Sequence, residues 1–331
     1  MPKFAIEFVP TDAYWKVVYH AIHAEKAGYD YVWITDHFNN RNVYVLLTNI
    51  AIYTNRVKFG PGVTSPYLIH PIMTAQSVAS LGEMAPGRAV CGLGTGDKTT
   101  LDLLNIERVK PLSAVRETVQ LFREITLGKT VKLEGKVFNV AGARLNFKIA
   151  DPIPIFIGAQ GPKMLSLAAE IGDGVLINAS NSKDFENAMV HIKKGVEKAG
   201  KKIEDIDVVA ATAFSASNDP KKALKAATPV VAFIVAGSPG SVLQRHNISI
   251  ESADKIRDAI GKGNWGEVFA NVTPEMFEAF SICGTPDTCI EKIDQLSKIG
   301  VTLFITGSPI GPKVHDSINL ISKEIMPHFK K

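Results

Sequence analysis

Short apolar segments alternate with longer amphipathic segments along most of the chain. The short segments are rich in β-branched and aromatic residues, and they predict strands at 4–8, 31–34, 57–61, 88–93, 155–157, 175–177, 207–213 and 302–305. The longer segments repeat apolar residues at helical spacing, and they predict helices at 12–27, 43–54, 71–84, 112–127, 162–171, 185–199, 220–236, 288–299 and 313–330. Several strands are apolar on both faces, which is typical of parallel strands covered by helices.

The number of alternating strands and helices defines the fold class. Eight strands in an α/β alternation favour a (β/α)8 TIM barrel over a doubly wound sheet. No boundary interrupts the pattern, so we predict one barrel domain over 1–331, elaborated by insertions near 95–110, 130–150 and 237–285. The last insertion is helical and, together with the apolar helix at 229–236, is a candidate dimer surface or lid.

Composition and charge narrow the function classes. The chain has 46% apolar and 21% charged residues, and we expect neither a secretory leader nor a membrane-spanning apolar run. Its three cysteines form no CxxC pair, so we expect a cytoplasmic protein with neither a metal site nor disulfides. The net charge of +4 comes from scattered lysines, which argues against nucleic-acid binding.

Two carboxylates mark the predicted mouth of the barrel, where the loops after the strands form active sites. Glu7 lies in an otherwise apolar first strand, where burial would raise its pKa toward the range of a general acid. A salt bridge inside the barrel is the alternative. Asp97 ends the segment Gly92–Asp97 after the fourth strand, in which Thr95 and the glycines would permit close approach of a ligand. Asp97 also replaces the third glycine of a GxGxxG motif, which excludes a nicotinamide-binding Rossmann site.

The ends of the second and third strands are suited to a flat heteroaromatic ligand. Gly60–Thr64, with two glycines around a proline, would let backbone press against a ring, although a tight strand-to-helix turn explains it too. Asp36 and His37 precede Asn39–Asn42, a run of hydrogen-bonding groups that suits ring carbonyls and nitrogens. The alternative for Asp36 is a helix cap.

The fifth and sixth strands also end in polar or glycine-rich segments. Gly158–Lys163 places Pro162 at a helix start, where free backbone N–H groups would hold an anion. Asn178–Ser180 follows the sixth strand. Each segment could be a plain turn, but together they predict a polar, glycine-lined mouth.

A set of segments in this order resembles a known family, the coenzyme F420-dependent methylenetetrahydromethanopterin reductases of methanogenic archaea, in the bacterial-luciferase-like superfamily. The segments that carry the resemblance are Glu7–Pro10, Trp33–His37, Asn39–Asn42, Phe59–Thr64, Gly94–Lys98, Gly158–Met164, Ile171–Ser180, Val231–Pro239 and Gly307–Pro312. The likeness extends nearly from end to end.

The resemblance implies a luciferase-like barrel with a non-prolyl cis peptide at Gly62–Val63. It implies hydride transfer from reduced coenzyme F420 (8-hydroxy-5-deazaflavin) to 5,10-methylenetetrahydromethanopterin, giving the 5-methyl product in methanogenesis from CO2. Glu7 would be the acid/base residue, with Asp97 as the second candidate. The implied cofactor-binding positions are Asp36, His37, Gly62, Val63, Thr64, Thr95, Gly96, Gly158, Ala159, Gln160, Asn178, Ala179 and Ser180. We also expect a homodimer or homotetramer.

Three other functions remain open at this stage. An FMN-dependent luciferase-like monooxygenase would share the barrel but react with oxygen, whereas a deazaflavin transfers hydride and reacts poorly with oxygen. Another F420-dependent dehydrogenase would share the coenzyme. A non-catalytic flavin-binding barrel is disfavoured by the two carboxylates, Glu7 and Asp97, at the mouth.

Overall fold

The computed structural model describes residues 1–330, with all their side chains except those of Lys98 and Thr99. The strands are β1 Lys3–Phe8, β2 Tyr31–Ile34, β3 Lys58–Pro61, β4 Cys91–Leu93, β5 Val131–Glu134, β6 Asn139–Ala143, β7 Ile155–Gly158, β8 Gly174–Ile177, β9 Asp207–Ala216, β10 Ser281–Gly284 and β11 Leu303–Ile310. The helices are α1 Tyr14–Lys26, α2 Val43–Tyr53, α3 Pro71–Met84, α4 Lys98–Leu103, α5 Pro111–Thr126, α6 Pro162–Ile171, α7 Ser182–Lys198, α8 Pro220–Gly237, α9 Gly240–Arg245, α10 Ile250–Gly261, α11 Trp265–Asn271, α12 Pro274–Phe280, α13 Pro286–Ile299, α14 Val314–Leu320 and α15 Met326–Phe329.

The main sheet contains all eight predicted strands. Its order is β3-β2-β1-β11-β9-β8-β7-β4, and β2–β3, β4–β7 and β7–β8 pair in parallel. Isolated parallel bridges from Phe59 to Ala89 and from Thr64 to Leu93 join the two ends of this order. The order therefore closes on itself, as in a (β/α)8 barrel.

Two features differ from the predicted elements. The segment 281–284, predicted as part of the helical insertion, is the strand β10, which pairs in parallel with β9. It follows α12 without a glycine or proline, so no breaker separates the two in the sequence. The short helix α4 was not predicted either. The β5–β6 hairpin lies within the insertion predicted near 130–150.

The chain divides into two compact units, which we call the N-terminal and C-terminal units. The N-terminal unit comprises Glu7–Ile177 and Ala188–Val209. The C-terminal unit comprises Met1–Ile6, Asn178–Asn187 and the chain from Ala210. The division passes through β1 and β9. Among the described residues, no helix is long and apolar enough to cross a membrane.

Aromatic residues form the core of the N-terminal unit beneath the ends of its strands. Trp33 of β2 is fully buried and meets Phe156 of β7 edge to face, with ring centroids 5.3 Å apart. Tyr31 stacks on Trp33 at 6.1 Å. Burying a large apolar side chain contributes about 1.5–3 kcal/mol, so this cluster fixes the strands that carry the predicted site.

In the C-terminal unit, α8 packs against α10, α11, α12 and β10. Its buried face is made of small and β-branched residues, chiefly alanine and valine. Small side chains let neighbouring helices approach closely, which explains why this helix is unusually apolar in sequence. Helices α9–α12 occupy most of the predicted insertion.

Candidate active site

The end of β3 has the predicted cis peptide bond, between Gly62 and Val63. The Val63 side chain lies against glycines of two other strand ends. A Cβ on Gly94 would be 2.7 Å from Val63 Cγ2, and one on Gly92 would be 3.1 Å from Cγ1. A Cβ on Gly158 would meet Cγ2 at 3.8 Å. The glycine at position 94 is therefore explained by packing against Val63, whereas the sequence had suggested close approach of a ligand.

Gly62 lies over the indole of Trp33. A Cβ on Gly62 would be 3.0 Å from Trp33 Cβ and 3.2 Å from its Cε3. The Gly62 N–H donates to the Ile34 carbonyl at 2.8 Å, which ties the end of β3 to that of β2. An added methyl group would thus collide with protein, independently of any ligand.

Glu7, at the end of β1, is only partly exposed. Loss of water around its carboxyl raises the pKa of Glu7 to about 7. Burial is the sole cause of this shift, and no cation among the described side chains, which exclude that of Lys98, pairs with the carboxylate. The salt-bridge alternative is therefore not supported by the structure, and a carboxyl poised near neutral pH can donate or accept a proton.

Five buried polar atoms near the ends of β2 and β3 have no partner at hydrogen-bond distance and angle among the described residues. They are Trp33 Nε1, Thr35 Oγ1, Asp36 Oδ2, Tyr44 OH and Thr64 Oγ1. Burial raises the pKa of Asp36, and the nearby Thr64 hydroxyl and His37 only partly oppose this rise. Buried polar atoms are normally satisfied, so this concentration indicates a surface that donates and accepts hydrogen bonds with a ligand or with water.

Tyr44 was missed by the sequence reasoning. It lies in the first turn of α2, where its spacing is that of an ordinary helix residue, and no motif contains it. Burial raises the pKa of Tyr44, while the hydroxyls of Thr64 and Thr74 lower it, so these three groups lie close together.

The polar loop after β2 is largely structural. Asn42 caps α2, since its side-chain oxygen accepts the N–H groups of Tyr44 and Val45 at 3.0 and 3.3 Å. Arg41 donates to the Thr11 carbonyl at 2.7 Å. The cap is therefore Asn42 and not Asp36, which leaves Asp36 and the exposed His37 available to a ligand.

The loop after β4 contains Thr95, Gly96 and Asp97. Gly96 has a φ of +74°, a conformation that favours glycine. Asp97 is exposed, and its Oδ1 accepts the Thr100 N–H at 2.8 Å as the cap of α4. Asp97 thus has a structural role, and it lacks the desolvation found at Glu7.

The loop after β7 leads into α6, and the backbone N–H groups in the first turn of α6 have no side-chain cap. Pro162 stands in the first turn, and no side chain caps the helix. A Cβ on Gly161 would meet nothing within 4 Å, and Gln160 is exposed. Ala159 donates to the Leu176 carbonyl at 2.9 Å, which fixes the loop against β8. This start of α6 keeps the predicted anion-binding character.

The remaining predicted residues belong to the C-terminal unit. Asn178 is exposed, while Ala179 and Ser180 are buried. The Ser180 hydroxyl donates to the Ala279 carbonyl at 3.1 Å, so its proton is used within the protein.

The donor and acceptor set of the N-terminal unit fits a planar ring with polar edges and an anionic tail. The unpartnered atoms of Asp36 and Thr64 supply an acceptor and a hydroxyl, and the uncapped start of α6 supplies N–H donors for a phosphate. A deazaflavin nucleotide has these features. None of this tests the individual positions, which stay predictions.

Comparison with known proteins agrees with this arrangement. The family model for luciferase-like monooxygenases matches residues 8–303. The 5,10-methylenetetrahydromethanopterin reductase of Archaeoglobus fulgidus is 52% identical over 332 aligned positions, covering 99% of this chain and 100% of the relative. The protein of the same name from Methanolobus tindarius is 48% identical, covering 98% and 99%.

A solved structure is similar as well. The coenzyme F420-dependent tetrahydromethanopterin reductase of Methanopyrus kandleri superposes with a TM-score of 0.95 at 42% identity, covering 99% of both chains. The fold is therefore the predicted (β/α)8 barrel. The chain belongs to the luciferase-like monooxygenase family.

Proposed function

We propose that this protein is a coenzyme F420-dependent 5,10-methylenetetrahydromethanopterin reductase. It reduces the methylene group of its substrate to a methyl group, a step of methanogenesis from CO2. Relatives of 43–52% identity over essentially the whole chain bear this name. The observation in the structure that supports it best is Glu7 at the end of a barrel strand, a carboxyl with a pKa of about 7 that has no counterion among the side chains described.

Coenzyme F420 is the proposed hydride donor. The cis peptide at Gly62–Val63 would support its ring, with Asp36, His37 and Thr64 at the ring's polar edge. The start of α6, after Gly158–Gln160, would hold its phosphate. Thr95, Gly96, Asn178, Ala179 and Ser180 complete the proposed set.

Glu7 is the proposed proton donor. The one-carbon unit of the substrate bridges two nitrogens, and as a closed ring it does not accept hydride. The Glu7 carboxyl donates its proton to one nitrogen, the bond from carbon to that nitrogen breaks with its electron pair on nitrogen, and the carbon becomes an iminium cation. The ionised carboxylate stabilises that cation until its carbon accepts a hydride. Bound F420 supplies the hydride.

The test is turnover with purified protein. We expect oxidation of reduced F420 only when methylenetetrahydromethanopterin is present, with formation of the methyl product. Reduced FMN and oxygen should give no substrate oxidation, because the solved Baeyer-Villiger monooxygenase of Pseudomonas putida in complex with FMN shares only the fold, at 20% identity. Turnover with FMN, or with F420 and an alcohol or sugar alone, would contradict the proposal and favour one of the alternative functions.

We further propose a cytoplasmic protein that associates with itself. The three cysteines are buried free thiols, as suits a reducing compartment.

For self-association, the relevant residues are apolar and exposed. Trp15 and Tyr19 on α1 are 63% and 51% exposed, and Val45 and Ile52 on the adjacent α2 are both 59% exposed. We propose that these four exposed apolar residues, which lie on two helices in contact, form the association surface. Sedimentation should show a dimer or tetramer that Trp15→Glu dissociates, whereas Trp265→Glu, on α11, should leave it intact.

A further inference from the structure

Tyr44, Thr64 and Asp36 form a buried polar group that the proposed function does not explain by itself. Asp36 follows β2, Thr64 follows the cis peptide of β3, and Tyr44 begins α2. Thr64 is fully buried, and its backbone N–H donates to the Gly92 carbonyl at 3.0 Å. The backbone of Thr64 is therefore fixed between β3 and β4, and only its hydroxyl is free to choose a partner.

The three side chains are close enough to affect one another's pKa, since Thr64 acts on both Asp36 and Tyr44, yet each has an unpartnered atom. These atoms are Tyr44 OH, Thr64 Oγ1 and Asp36 Oδ2. Leaving three neighbouring buried polar atoms unsatisfied is unfavourable, and such groups occur in native proteins where a ligand or water completes them. The other charged or titratable groups near them are His37, beside Asp36, and Cys91, near Tyr44.

One order of donation connects the three groups. An ionised carboxylate can only accept, so a hydrogen bond between Thr64 and Asp36 uses the single proton of the Thr64 hydroxyl. The Thr64 oxygen can then accept, and Tyr44 is the phenolic donor beside it. Tyr44 therefore donates to Thr64, and Thr64 donates to Asp36; we call these three residues the row. The remaining acceptor positions of Asp36 are left for a ligand.

We propose that Tyr44 is a positioning residue for the coenzyme: through Thr64 it aims the Asp36 carboxylate, which accepts a hydrogen bond from an N–H or O–H of the bound ring. The inference rests on the proposed function, because it takes F420 as the ligand. Tyr44 does not touch the ring. The row closes into hydrogen bonds when the ligand excludes water from Asp36.

The test is a double-mutant cycle on F420 affinity, measured by titrating the coenzyme's absorbance and the protein's fluorescence. Tyr44→Phe should raise the Kd about tenfold, as expected for loss of a hydrogen bond that supports a charged acceptor. In the Asp36→Asn background, Tyr44→Phe should change the Kd by less than about twofold, because its effect passes through the carboxylate. Thr64→Val should abolish the effect of Tyr44→Phe in the same way.

Tyr31→Phe is the matched control, since it removes the same hydroxyl at the other end of β2 and should leave the Kd unchanged. Melting temperatures of all variants show that they fold. An equal loss of affinity in both backgrounds would mean that Tyr44 acts through packing alone, and this would overturn the inference. An unchanged Kd in Tyr44→Phe would also overturn it. Wild-type protein that binds no F420 would overturn the proposed function and the inference together.

Discussion

Two buried or partly buried carboxylates of the N-terminal unit show how surroundings separate structural from chemical roles. Glu117 of α5 accepts the backbone N–H groups of Lys136, Val137 and Phe138 at 2.7, 3.0 and 2.9 Å, so its charge is satisfied by the β5–β6 turn. Glu7 has no such donors, and its pKa rises to about 7. Burying a carboxylate without hydrogen-bond donors lowers the stability of the folded state. Such groups are therefore typical of catalytic sites, where a raised pKa suits proton transfer.

Glu7 should make stability depend on pH. The pKa of Glu7 rises from 4.5 to about 7 on folding, so the folded state favours the protonated carboxyl. The stability that this carboxyl contributes is fully present below about pH 4.5 and is lost as the pH rises through 7. Glu7→Gln should therefore be more stable than wild type by about 1–2 kcal/mol at pH 8, after allowance for partial exposure, and nearly equal at pH 5. Urea unfolding at the two pH values measures this. The exposed Glu83→Gln should show no such pH dependence, and a matching trend there would refute the assignment to Glu7.

Packing at Val63 gives a second prediction at this scale. Gly94→Ala would place Cβ 2.7 Å from Val63 Cγ2, so it should lower the free energy of unfolding by about 1–3 kcal/mol and weaken F420 binding. Gly161→Ala, where nothing lies within 4 Å, should change stability by less than about 0.5 kcal/mol. Thermal melts compare the two, and equal melting temperatures would contradict the packing explanation.

At the scale of elements, hydrophobic periodicity was sufficient for most of the fold. The strands β2, β7 and β8 are continuous apolar runs, and the helices repeat at 3.6 residues, so both could be read from the sequence. The strand β10 could not, because four residues directly after a helix contain no period. The role of Gly94 was also hidden, because Val63, which it contacts, is far away in sequence. The cap at Asn42 is local, since its partners Tyr44 and Val45 follow it directly in the first turn of α2, and it could have been read from the sequence.

The cap of α2 can be tested as an element. Asn42→Ala removes the acceptor for the N–H groups of Tyr44 and Val45, and it should cost about 1 kcal/mol of stability. Because α2 carries Tyr44, F420 affinity should fall too. Asn49→Ala, on the exposed side of the same helix, is the control and should affect neither quantity. Loss of stability without any change in Kd would show that α2 does not orient the site.

A partly buried ion pair between α7 and α9 anchors the C-terminal unit. The Asp184 carboxylate accepts from Arg245 Nη1 at 2.5 Å and contacts His246 Nε2 at 2.8 Å. Burial opposes ionisation, but hydrogen bonds from His246 and Arg245 outweigh it and lower the pKa of Asp184. The stability that ionised Asp184 contributes is therefore present above the ordinary pKa of an aspartate and is lost as the pH falls through the lowered value.

Asp184→Asn should destabilise the protein by about 3 kcal/mol at pH 7, measured by urea unfolding. The exposed Asp254→Asn should cost less than about 1 kcal/mol, and an equal loss in both would contradict this role.

At the scale of the whole molecule, the fold class and most of the residues proposed for the site were predicted from the sequence. Which of these residues have structural roles was not predicted. Asp36, His37 and Thr64 were named from their places at strand ends. The buried, unpartnered oxygens of Asp36 and Thr64 support that choice, whereas His37 is exposed. Asp97 and Ser180 were named from the same rule, yet one caps a helix and the other is bonded to a backbone carbonyl. A strand-end rule finds where a side chain lies, whereas hydrogen bonding decides what it can do. The prediction of one domain over 1–331 stays a prediction.

The measurement that tests the account most directly is turnover by Glu7→Gln with reduced F420 and methylenetetrahydromethanopterin. Glutamine keeps the shape of the side chain but cannot deliver a proton. We predict a kcat lower by about two to four orders of magnitude, with an unchanged Kd for F420, and a much smaller loss in Asp97→Asn. A Glu7→Gln enzyme that turns over near the wild-type rate would contradict the account, and an inactive Asp97→Asn beside it would assign the proton to Asp97.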